Sequence, residues 1–111
     1  MSLPLEISVV EVKARLETDA KIVLIDVREP HEHRITRIEG AELIPMNTIP
    51  QLLDDLETTA EAGVLVVFCH HGVRSLNVVS WLRGQGLDSC QSMSGGIEAW
   101  SRQIDPSIAR Y

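Results

Sequence analysis

The stretch "VLVVFCHHGVRSLNVVSWL", Val64 to Leu82, decides the fold. Five consecutive apolar residues end in Cys69, and two histidines, a glycine and an arginine follow before a second apolar segment begins. An uninterrupted apolar run of this length reads as a strand buried on both faces, as in a parallel sheet. Residues from about Arg74 to Arg83 read as a helix, with Leu76, Val78, Val79, Trp81 and Leu82 giving a wide buried stripe. Gly84 and Gly86 supply a left-handed exit for it. A core needs none of Cys69, His70, His71, Gly72 or Arg74.

Working outward, the same alternation recurs. Ser8-Val-Val-Glu11 is a capping box, flanked by Ile7 and Val12 at staple positions, with Val9, Val12 and Leu16 at helical spacing. "LEIS" before it is a short strand. "KIVLIDV" (Lys21 to Val27) is a second unalternating apolar strand, and Glu29-Pro30 suits a helix start. "AELIP" is a short extended piece, and Thr48-Ile-Pro50 opens a helix with Leu52, Leu53 and Leu56 inward. "SCQSM" is a weak last strand, and Gly95-Gly96 turns into a helix carrying Ile97, Trp100 and Ile104 on one face. Strand and helix alternating in this way define an α/β sandwich around a parallel sheet.

The chain has 111 residues with 44% hydrophobic and 23% charged, which fits one domain, residues 1–111, with its own core. Ten basic against sixteen acidic residues give a charge of −6, which repels nucleic-acid backbones and anionic membranes. No apolar run approaches the roughly 20 residues of a membrane helix. "MSLPLEIS" lacks a charged leader followed by an apolar stretch. Cys69 and Cys90 lack framework spacing. The expected compartment is the reducing cytoplasm.

Ligands in open α/β sheets gather beyond the carboxyl ends of the strands, where Cys69 falls. The residues after it turn backbone N–H groups toward a common point at a helix entrance, an arrangement that favours an anion and hence a thiolate. Gly72 provides the backbone freedom such a cradle needs. Arg74 adds positive charge at the loop's exit, and Ser75 can cap the helix or donate to the loop. A cysteine that merely ends a strand is often an inert small hydrophobe. Cys-x-x-Gly-x-Arg-Ser between an apolar strand and an apolar helix points instead to function.

This stretch resembles the active-site loop of the rhodanese sulfurtransferase family. "DVREPHEHRITRIEGAELIP" (Asp26 to Pro45) and "SMSGGIEAW" (Ser92 to Trp100) look like that family's upstream and closing segments, in order. The resemblance implies a three-layer sandwich, a five-stranded, mostly parallel sheet with helices on both faces. It makes Cys69 the sulfur-carrying nucleophile, lined by His70, His71, Gly72, Val73, Arg74 and Ser75. No metal or organic cofactor is implied. The family often carries Gly-His where this chain has Thr36-Arg37, and proline where it has Glu39, which leaves the local shape there open.

The implied reaction moves a sulfane sulfur from thiosulfate or a protein persulfide to a thiol acceptor, or to cyanide. A second reading is a persulfide carrier that acts with a partner protein. The tail "IDPSIARY" resembles the end of rhodanese domains fused behind adenylyltransferases. A phosphatase is the third reading. Those enzymes place five residues between cysteine and arginine, whereas His70, His71, Gly72 and Val73 make four here. The sequence leaves the oligomeric state open.

The remaining side chains have plainer expected roles. His70 and His71 should diverge, one to the mouth and one to the wall. Cys-His-His alone lacks the further partner a metal requires. His31 and His33, two apart on a helix, should face different ways. Asp26 and Arg28, after the adjacent strand, either brace the loop or pair with each other. Cys90 is a small core hydrophobe, and Trp81 and Trp100 are core anchors.

Overall fold

A computed structural model describes residues 3–18 and 21–111. Five strands form one sheet in the order β1-β5-β4-β2-β3, and every pairing is parallel. The strands are β1 (Glu6–Ile7), β2 (Ile22–Asp26), β3 (Glu42–Leu43), β4 (Val64–Phe68) and β5 (Cys90–Met93). The helices are α1 (Val9–Leu16), α2 (Pro30–Ile35), α3 (Leu53–Ala60), α4 (Val73–Gly84) and α5 (Gly96–Gln103), with a 3-10 helix at Met46–Leu52. The sheet is thus wholly parallel, where the resemblance implied mostly parallel.

β4 lies at the centre because all its residues can be buried from both sides. Leu65 and Val67 face one apolar layer with Val78, Val79 and Leu82 of α4 and Leu56 of α3. Val66 and Phe68 face the other with Val9 and Val12 of α1 and Ile97 and Trp100 of α5. Each such side chain contributes about 1.5–3 kcal/mol when fully withdrawn from water. Cys69 continues the alternation and points into the α3–α4 layer.

Four expectations need correction. Trp81 is 38% exposed rather than a core anchor, because α4's buried stripe is Ser75, Val78, Val79 and Leu82, and position 81 rotates beyond it. It lines a shallow apolar groove with Met46, Ile49, Pro50, Asn77 and Val78. The helix expected to open at Thr48 is 3-10 from Met46 and becomes α-helical only at Leu53, with Pro50 inside the 3-10 part. Leu16 is exposed, so α1 buries only Val9 and Val12. Ser8 caps α1 by accepting from the Glu11 N–H at 3.1 Å, while the Glu11 carboxylate turns toward Arg15.

Thr36 and Arg37 take up the unusual segment without strain. Thr36 is extended, and its carbonyl accepts from Arg28 Nη2 at 2.8 Å. Among the described residues no non-glycine has a positive φ.

Candidate active site

Cys69 follows β4 at the carboxyl edge of the sheet and is 1% exposed. Two backbone N–H groups donate to its Sγ, from Gly72 at 3.1 Å and from Ser75 at 3.4 Å, and the Ser75 hydroxyl lies 3.5 Å away. The convergence depends on Gly72, which caps α4 at φ +108°, a left-handed angle that side chains resist. Ser75 Oγ also donates to the Gly72 carbonyl at 3.3 Å or shares a proton with Ser92 Oγ at 2.8 Å. Ser92, fully buried on β5, was not a sequence candidate.

A second helix end closes the loop from the other side. The N–H groups of Ile97 and Glu98 donate to the carbonyls of Cys69 and His70 at 2.9 and 3.1 Å. Gly96 makes this approach possible, since a Cβ there would stand 2.5 Å from both carbonyl oxygens. The loop is therefore held by two helix starts, the amides at the start of α4 donating to Cys69 Sγ and those of α5 donating to the loop's carbonyls.

Arg74 does not offer a free charge at the loop's exit. Its Nη1 and Nη2 donate to the two oxygens of Glu32 at 2.7 and 2.9 Å. Glu32 also accepts from the Glu29 N–H at 2.8 Å and the Tyr111 hydroxyl at 2.9 Å. The Arg74 contact, chiefly, holds the Glu32 carboxyl down at about 2, and the same bond raises Arg74 above its ordinary value. His31 and His33 do face different ways, exposed and half-buried, with Glu32 turned inward between them.

Asp26 and Arg28 pair with each other, both fully buried, through Nε–Oδ1 at 2.9 Å and Nη2–Oδ2 at 2.7 Å. Arg28 Nη1 donates to the Tyr111 hydroxyl at 3.0 Å. No direct bond from either to the 69–75 loop occurs among the described residues. The link runs through Tyr111, whose ring stacks on His70 with centroids 3.8 Å apart and planes 6° apart.

The histidines do not diverge: their rings stack at 3.9 Å. Burial, then the neighbouring His71, push His70 below the ordinary histidine value, so its ring is neutral at pH 7. His70, His71 and Glu98 bring potential ligand atoms within 4.8 Å of one another, the further partner that sequence alone did not supply. Arg110 already engages both Glu98 oxygens, at 2.6 to 3.2 Å. Cys90 is fully buried, and burial raises its thiol above the ordinary value.

Glu32, Ser92 and Tyr111 are the site residues that the sequence reading missed. Glu32 sits at the third position of a helix that begins after β2's carboxyl end, which is a legible signal; Ser92 and Tyr111 carry none.

A wholly parallel sheet with helices on both faces, and a buried cysteine that accepts from two backbone amides beyond its central strand, define an α/β protein of the three-layer sandwich class. The family model for the rhodanese-like domain matches residues 8–103. The chain belongs to the rhodanese-like family. It is 36% identical over 101 residues to YtwF of Bacillus subtilis, covering 91% of this chain and 94% of that protein. It is 34% identical over 93 residues to the adenylyltransferase and sulfurtransferase MOCS3-1 of Zea mays, covering 80% of this chain but 20% of that one. The crystal structure of a rhodanese-like domain protein from Staphylococcus aureus superposes with a TM-score of 0.77 at 31% identity, covering 97% of this chain and 99% of that one. The chain spans 19 to 30% of the length of the first five curated relatives it matches.

Proposed function

We propose that the protein is a sulfurtransferase that carries a sulfane sulfur as a persulfide on Cys69. The observation that carries this reading is the pair of N–H groups, from Gly72 and Ser75, aimed at Cys69 Sγ. In the first step the Cys69 thiolate attacks the outer sulfur of thiosulfate. The new S–S bond forms as the old one breaks, and the electron pair leaves with sulfite. The terminal persulfide sulfur carries the negative charge, and the amides at the mouth of α4 stabilise it. In the second step an acceptor thiolate, or cyanide, takes that sulfur and the Cys69 thiolate leaves. Electrons and atoms balance without an outside oxidant.

A relay between proteins is the second reading, and the Arg74–Glu32 pair favours it. With Arg74 neutralised and His70 uncharged, the loop's side chains give a small dianion little attraction, so a protein persulfide is a credible donor. The maize relative joins a sulfurtransferase to an adenylyltransferase in one chain, in keeping with such a relay. The same pair disfavours a phosphatase, which needs its arginine turned onto the phosphoryl group.

Intact-mass measurement after thiosulfate treatment tests the proposal. The expected result is a gain of one sulfur atom, reversed by reductant and missing in Cys69→Ser. A mass unchanged by thiosulfate and by a persulfide donor alike would overturn it. An aryl phosphate should not be turned over. Saturation only at very high thiosulfate would favour the relay.

A further inference from the structure

The segment after α5 runs back to the cysteine loop. Ile108 packs on the α1–α5 layer, and its carbonyl accepts from Ser101 Oγ at 3.1 Å. Arg110 pairs with Glu98 at 2.6 Å, and Tyr111 arrives between the loop and α2. Its phenol is the meeting point of two ion pairs. It accepts from Arg28, which holds Asp26, and donates to Glu32, which holds Arg74. The directions are consistent, since one lone pair and one proton are used. Burial, foremost, keeps the phenol above its ordinary value and therefore protonated at neutral pH.

The ring of Tyr111 does a second job. His70 lies between His71 and Tyr111, stacked on both. His70 Nε2 is buried and has no hydrogen-bond partner. The imidazole's placement is set by the two stacked rings. One side chain thus fixes the histidines that leave the loop before Gly72 and the carboxylate that fixes the arginine leaving it afterwards.

We propose that Tyr111 is a positioning residue of the sulfur-transfer loop, holding His70 and His71 on one side and the Glu32–Arg74 pair on the other in a fixed relation. This rests on the reading of Cys69 as sulfur carrier. A loop whose side chains are already ordered spends none of the donor's binding energy on ordering them. Tyr111 therefore acts on donor binding more than on the bond-breaking step.

Steady-state kinetics with thiosulfate and cyanide, intact mass and imidazole NMR on Tyr111→Phe and Tyr111→Ala test this. Tyr111→Ala is expected to raise the thiosulfate KM about five-fold or more, with kcat within about two-fold of wild type. Tyr111→Phe keeps the stack and loses two hydrogen bonds, so its KM should fall between. The His71 resonances, on the far face of His70, should move in Tyr111→Ala and stay near wild type in Tyr111→Phe. A purely structural role would lower the melting temperature without separating KM from kcat. An unchanged KM in Tyr111→Ala overturns the proposal. If wild-type protein takes up no sulfur, the reading of Cys69 fails instead. His71 signals that move in Tyr111→Ala then uphold the positioning, and unmoved signals reject it.

Discussion

Glu32 shows how much one side chain can organise. It is 7% exposed and accepts four hydrogen bonds, from Arg74 twice, Tyr111 and its own helix's first turn. Because its folded value lies at about 2, below the ordinary 4.5, folding favours the ionised form. The resulting stabilisation is complete above about pH 4.5 and is lost as pH falls toward 2. Glu32→Gln should therefore destabilise the protein by roughly 1–3 kcal/mol at pH 7, with a smaller penalty at pH 3, measured by urea unfolding at both. Equal penalties at the two pH values would show that charge is not what Glu32 contributes. Glu32's place in the first turn of α2 is legible in the sequence, but its bonds to Arg74 and Tyr111 are not, because those partners lie 42 and 79 positions away. Cys69 and Gly72, by contrast, advertise themselves, since their role is set by their own local backbone.

At the scale of the element, β4 was legible to the residue, because an apolar run bounded by Gly63 and Cys69 has only one way to be buried. The 3-10 stretch was not. In the sequence Pro50 reads as a helix-opening signal, but it lies well inside the 3-10 helix that starts at Met46. Trp81 was misplaced for a related reason: its size suggests burial, while the helical angle from Val78 and Leu82 decides it. The start of α5, which grips the loop, invites a test paired with a glycine at the far end of α4, which does not. Gly96→Ala would press a Cβ onto two backbone carbonyls at 2.5 Å and at φ +59°. It should cost about 1–3 kcal/mol and impair sulfur uptake. Gly84→Ala, at the end of α4 with no atom within 4 Å of the added Cβ, should be neutral or stabilising by up to about 1 kcal/mol. Thermal melts and persulfide formation on both variants check the contrast; equal effects would mean that α5 is not held against the loop as described.

For the whole molecule, the α/β sandwich around a parallel sheet followed from alternation and its five strands with helices on both faces from the family resemblance, whereas local charge at the site followed from neither. The sequence leads one to expect Arg74 to bring positive charge to the loop's exit in a chain of −6 overall. The fold instead matches each nearby guanidinium to a carboxylate: Arg28 to Asp26, Arg74 to Glu32 and Arg110 to Glu98. A dianion thus meets net repulsion, which salt screens over about 8 Å at physiological strength. The value of kcat/KM for thiosulfate should accordingly rise with ionic strength between 20 and 200 mM salt, roughly two-fold or more. A decline over that range would mean that the site does attract anions. No helix among the described residues is long and apolar enough to cross a membrane.

The two outermost strands, β1 and β3, are only two residues long. Each rim of the sheet therefore offers very few unsatisfied main-chain groups along which another polypeptide could zip. That brevity guards a molecule with so apolar a centre against edge-to-edge polymerisation.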